Sequence, residues 1–263
     1  SRLELSESMH HEIIKHCNKR NIEFLSTGFD IESNNFLYNL GIRNFKIPSG
    51  EITNLPYLRH LGSIAESVIV STGMSSMKEI KETIKTLIKS GMNPKKISIL
   101  HCTSSYPTPD NEVNLKAIRS ISSLFNMPVG YSDHTEGIHV PVAAVAIGAT
   151  IIEKHFTLDR NMSGPDHQAS LEPKELQEMI SAIRKIEVIL GDGIKKPSSS
   201  EIKNIEIVRK SIVARKDINK DEVFSINNIA IKRPGNGVSP MRWDEFIGSK
   251  ATKDYLKDDL IEE

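Results

Sequence analysis

The chain has 263 residues, 38% of them hydrophobic, and its 34 lysines and arginines balance 34 aspartates and glutamates. This is enough to bury one large core and one small one, which excludes a disordered chain, and zero net charge excludes a global field drawing it to nucleic acid or an anionic membrane. No apolar run approaches the roughly 20 residues that span a bilayer, Ser1-Arg2-Leu3-Glu4 has no signal-peptide character, and Cys17 and Cys102 lack CxxC spacing, so a cytoplasmic protein with two buried thiols and small-molecule or protein partners is expected.

Read from the start, the first predicted element is a helix on which Met9, Ile13, Ile14 and Cys17 share a face. Six strands then alternate with amphipathic stretches: Ile22 to Thr27, Asn44 to Pro48, Ser67 to Thr72, Lys96 to Thr103, Met127 to Ser132 and Ala149 to His155. Between the third and fourth strands, Ser76 and Glu79 form a capping box ahead of Ile80, Ile84, Leu87 and Ile88, and Gly91 closes the helix. Leu115, Ile118, Ile121 and Leu124 mark the next helix; Pro173 opens a later one carrying Leu176, Met179, Ile180, Ile183 and Leu190. Nearly every strand ends in hydroxyls or charges, the placement expected at the C-terminal face of a (β/α)₈ barrel, whereas a doubly wound sheet would concentrate them at one switch point. Six strands do not close such a barrel, so an α/β TIM barrel lacking its first two βα units is expected over residues 1–194. The apolar-free Lys195-Lys196-Pro197-Ser198-Ser199-Ser200 begins a linker over 195–204. Short β-like runs and a helical turn at Trp243 make 205–263 a small β-rich domain with little core of its own.

Chemistry collects at the strand ends. In Gly130-Tyr131-Ser132-Asp133-His134-Thr135 and Ile152-Glu153-Lys154-His155-Phe156-Thr157, alternation points Ser132 with His134, and Glu153 with His155, toward one mouth. Paired imidazoles beside a carboxylate suit a divalent metal, and buried, hydrogen-bonded core histidines suit the same pattern equally. Lys46-Ile47-Pro48-Ser49-Gly50-Glu51 sets a cation beside a Ser-Gly turn able to hold a phosphate or carboxylate, with Glu51 available to move protons. The hydroxyls of Ser71, Ser104 and Ser132 extend that ring. Tyr106 stands between stiffening prolines, Gly164-Pro165-Asp166-His167 is dense in groups that read hydroxyls, and Arg233 lies on a Pro-Gly turn. Taken singly, each of these also fits an ordinary turn or a solvated charge.

Together and in order, these motifs resemble the bacterial sialic acid synthases, the N-acetylneuraminate synthases and their N,N'-diacetyllegionaminate-making relatives, over essentially the whole chain. The resemblance implies a (β/α)₈ barrel followed by an antifreeze-like (SAF) domain. It implies condensation of phosphoenolpyruvate with an N-acetylmannosamine-type sugar to a nonulosonic acid and phosphate, in a domain-swapped homodimer. Carried over, His134 and His155 match the ligands of manganese or magnesium, and Lys46, Ser49, Ser71 and Ser132 match the phosphoenolpyruvate-binding groups. Glu51 matches a carboxylate near the reacting carbon, and Glu153 a second one, close to the sugar. Tyr106 and Asp166 also match positions near the sugar, as does Ser104, which stands where some members have asparagine; Arg233 matches the arginine lent by the partner chain. The family's first two strands, with a catalytic glutamate and a phosphate-binding lysine, have no counterpart here, so this chain alone is expected to be inactive and poorly soluble. N-acetylneuraminate is the leading product, legionaminate the runner-up, and pseudaminate is less favoured. A pyruvate-dependent metal aldolase and an inactive carbohydrate-binding or assembly fragment are the readings from other classes.

Overall fold

Alternating apolar residues in the short strands give each a face that must be covered, and amphipathic helices cover it in a computed structural model that describes residues 5–263. The elements run α1 (Glu7–Arg20), α2 (Ile31–Asn39), β1 (Asn44–Ile47), α3 (Leu55–Ile64), β2 (Ser67–Ser71), α4 (Met77–Lys89), β3 (Ile97–Cys102), α5 (Lys116–Phe125), β4 (Val129–Asp133), α6 (His139–Ala146), β5 (Ile152–Lys154) and α7 (Pro173–Leu190). The five strands pair in parallel in the order β1-β2-β3-β4-β5, a partial barrel with β1 and β5 at its edges. Register places Lys46 beside Ile69, Ser71 beside Leu100, Cys102 beside Ser132 and Ser132 beside Glu153.

One face of this sheet is apolar. Phe45, Ile47, Val68, Val70, Ile97, Ile99, Val129 and Tyr131 are buried in a single cluster with Leu61, Ile80, Leu87 and Ile118 from the helices, each large side chain contributing about 1.5–3 kcal/mol. The intervening residues, among them Lys46, Ser71, Ser132 and Glu153, therefore project from the other face. Gly130 lies between them because a Cβ there would collide with the Ile151 carbonyl and come within 2.7 Å of the Leu100 side chain.

The structure corrects several expectations. Among the described residues five strands form in this sheet, not six: the segment 22–27 pairs with none of them, its Ile22 and Leu25 are 63% and 40% exposed, and it meets β1 through a side-chain bond from Asn44 to Glu23. On α1 only His10 is buried, Met9 is exposed, and Cys17 is half-buried rather than enclosed. The α4 capping box forms as expected.

The chain divides into compact units at Gly191/Asp192. In the second unit, α8 (Ser199–Val208) runs through the segment expected as linker, started by a capping box between Ser198 and Glu201. β6 (Ser211–Ala214) and β7 (Ile229–Lys232) pair antiparallel, and α9 (Trp243–Phe246) follows. Isolated bridges such as Ile218 to Tyr255 tie the turns together. This unit has a core of its own, contrary to expectation: Ile212, Ile218, Phe224, Ile229, Tyr255 and Ile261 are each at most 3% exposed. No helix among the described residues is long and apolar enough to cross a membrane.

Candidate active site

Lys46 at the end of β1 and Ser132 near the end of β4 converge on Glu153 in the middle of β5. Lys46 Nζ donates to Glu153 Oε1 at 2.7 Å and Ser132 Oγ donates to the same oxygen at 2.6 Å. The lysine and glutamate side chains are 18% and 35% exposed, so these charge-assisted bonds are only partly screened. On the same face of the sheet, the Ser71 hydroxyl on β2 is buried and has no hydrogen-bond partner among the described residues. Ser49, on the turn after β1, accepts from the Gly73 N–H at 2.9 Å and lies 3.5 Å from Cys102 Sγ. A Cβ at Gly73 would overlap Ser104 Oγ and approach Ser49 Oγ to 2.9 Å, so the glycine leaves room for both serine hydroxyls.

The histidines lie one step further out. His134 is buried, its ring is 5.5 Å from that of His155, and Tyr106 packs on both at 4.1 and 5.6 Å between centroids. His134 Nδ1 is 2.7 Å from the Thr103 carbonyl. A carbonyl only accepts, so Nδ1 carries the proton and Nε2, 3.4 Å from Ser132 Oγ, keeps its lone pair, the backbone-anchored arrangement usual for imidazole metal ligands. Burial, reinforced by His155 and opposed by the Thr103 bond, holds His134 below the ordinary histidine range and keeps it neutral. The pair offers a divalent ion two imidazole donors; among the described residues no third His, Cys, Asp or Glu completes a ligand cluster. Burial raises the Tyr106 hydroxyl above its usual value.

Three expected residues stand apart from this network. Glu51 accepts from Asn54 Nδ2 at 2.6 Å. Asp166 is exposed, and its backbone carbonyl accepts from Ser170 Oγ. Arg233 belongs to the second unit, exposed, its Nε donating to the Val208 carbonyl at 3.1 Å.

Sequence reasoning passed over Cys102, Gly73 and a pair behind the site. Strand alternation puts Cys102 on the inward face, a signal available from the sequence alone. On the opposite face, Asp133 and Lys154 form a fully buried ion pair of 2.6 Å, with Asp133 also accepting from the Thr135 N–H and hydroxyl and Lys154 donating to the Thr135 carbonyl.

Among known families, residues 1–195 match the model described as NeuB family and residues 209–262 the SAF domain. The N,N'-diacetyllegionaminic acid synthase of Campylobacter jejuni is 57% identical, the match covering 100% of this chain and 78% of that protein. That of Legionella pneumophila is 45% identical, covering 94% and 70%. The crystal structure of an N-acetylneuraminic acid synthetase from Leptospira borgpetersenii, in complex with citrate, superposes with a TM-score of 0.73 at 38% identity, over 77% of this chain and 70% of that one.

Proposed function

The chain belongs to the NeuB family, and from that premise we propose that it condenses phosphoenolpyruvate with an N-acetylated amino sugar to a nonulosonic acid, releasing phosphate. The observation that carries this reading is the anion cradle at the strand ends: Lys46 and Ser132 both aimed at one carboxylate oxygen, with the buried Ser71 hydroxyl left unpartnered on the same sheet face. Such a set of donors suits a phosphate or carboxylate.

In this reading Lys46, Ser49, Ser71 and Ser132 hold phosphoenolpyruvate so that its C3 faces the open-chain sugar aldehyde. The C3–C1 bond forms, water adds at C2, and a carboxylate takes its proton, with Glu153 and Glu51 the groups available. The C–O bond to phosphate then breaks, and Lys46 with the serine hydroxyls stabilises the departing charge. A divalent ion, manganese or magnesium, would be held by His134 and His155 and would supply Lewis-acid polarisation of the sugar carbonyl. Tyr106, Ser104 and Asp166 line the sugar side, and Arg233 completes it from the partner chain of a domain-swapped homodimer.

Relatives named N,N'-diacetyllegionaminic acid synthases stand at 57% and 45% identity and the sialic acid synthetase structure at 38%. This ordering favours a sugar with two acetamido groups over N-acetylmannosamine. The test is phosphate release with phosphoenolpyruvate and each sugar, with and without manganese, followed by product identification. Release that depends on an N-acetylated amino sugar and disappears on chelation and in both His134→Ala and His155→Ala supports the reading. Consumption of pyruvate without phosphate release would point to an aldolase, and no turnover with any sugar to a binding fragment.

A further inference from the structure

The Ser132 hydroxyl has one proton to give, and it is given to Glu153 Oε1 at 2.6 Å. Lys46 donates to the same oxygen at 2.7 Å, so one carboxylate of the protein occupies two of the donors assigned to phosphoenolpyruvate, while Ser71 stays free. Lysine has three protons and can serve two acceptors; serine cannot. An arriving phosphate or carboxylate that takes the Ser132 proton must therefore dislodge Glu153, and its own negative charge drives the glutamate away.

Glu153 has somewhere to go. Its side chain is 35% exposed, so no packed core restrains it, and it shares a strand face with His155, two residues on. There an unpartnered carboxylate becomes an acceptor for a hydroxyl or N–H of the second substrate.

We infer that Glu153 is an internal stand-in for the phosphoenolpyruvate anion, and that its displacement on phosphoenolpyruvate binding delivers it to the sugar site and couples the two substrates. This deepens the reading of the cluster as a phosphoenolpyruvate site and rests on it. The coupling is reciprocal: whatever factor phosphoenolpyruvate gives the sugar, the sugar returns.

The test is calorimetric titration of the full chain with phosphoenolpyruvate, alone and with the alditols of N-acetylmannosamine and of its diacetamido analogue, which have no aldehyde and cannot react. In Glu153→Gln, and equally in Glu153→Ala, phosphoenolpyruvate should bind about tenfold tighter, because the competitor is gone. In the unaltered chain one alditol should tighten phosphoenolpyruvate binding about fivefold or more, the lower end of ordinary coupling, and in the variants that effect should vanish. Equal phosphoenolpyruvate affinity in unaltered and variant chains overturns the inference. Tighter binding in the variants with no alditol effect in the unaltered chain also overturns it, reducing Glu153 to simple charge repulsion. An unaltered chain that binds no phosphoenolpyruvate defeats the proposed function itself, and the inference with it.

Discussion

The Ser71 hydroxyl is 2% exposed with no partner, and a buried polar group left unpaired costs about 1–3 kcal/mol. Ser71→Ala should therefore leave the free chain as stable as before, or more so, in urea unfolding, while weakening phosphoenolpyruvate binding. A loss of stability with unchanged phosphoenolpyruvate affinity would mean the hydroxyl is structural. His101 illustrates a different single-residue effect. Its Nε2 bonds to the Val113 carbonyl at 3.0 Å, and burial holds its imidazole below the ordinary histidine range. The unfolded chain takes up that proton as pH falls through about 6.5, whereas the folded chain resists until its lower value is reached. Stability therefore falls as pH drops through that window and levels off below the native value. Urea unfolding at pH 8 and 5.5 should show the drop, smaller in His101→Gln; an identical drop in that variant sinks the assignment. At this scale alternation was enough to read Ser132, Glu153 and the two histidines as one inward-facing set, whereas Lys46 was legible only as a cation beside a Ser-Gly turn. Alternation carried no information on which hydroxyl is left unpaired, because that depends on three strands meeting.

Strand ends are only as well placed as what lies behind them. Asp133 and Lys154 are cross-strand neighbours on β4 and β5, their side chains 0% and 3% exposed, and they flank on the reverse face the residues that present Ser132, His134, Glu153 and His155. Lys154→Met leaves a buried carboxylate without its cation and should cost about 3–5 kcal/mol. Asp133→Asn combined with Lys154→Met removes both charges and should recover much of that loss in urea unfolding. A double variant no better than the single would show that packing, not charge, holds the strand ends. Elements with a local punctuation signal were legible. Ser76 and Glu79 announced α4, and Pro173 announced α7. Ser198 and Glu201 carry the same capping signature, yet the surrounding lysines and serines read as linker, and α8 was passed over. The segment 22–27 went the other way, since its apolar residues matched a strand that found nothing to pair with.

Each of the two units closes its own apolar cluster, one against the parallel sheet and one around the β6–β7 pair. The barrel-like half was legible because polar residues recur at successive strand ends, a rhythm that survives without knowing any contact. The second unit looked coreless because its apolar residues are scattered singly among turns, and only bridges between residues as distant as Val213 and Leu260 bring them together. Domains of about 60 residues bury only some 60% of their unfolded surface and are marginal, so independent folding of this unit depends on its own small core. Residues 192–263 expressed alone should accordingly unfold cooperatively in urea. Phe224 is 3% exposed and packs against Phe246 and Tyr255 at 6.2 and 6.0 Å between ring centroids. Phe224→Ala should cost about 3–5 kcal/mol, enough to unfold so small a unit at room temperature. A fragment without a cooperative transition would show that the nine buried residues of this cluster cannot offset chain entropy without the rest of the protein.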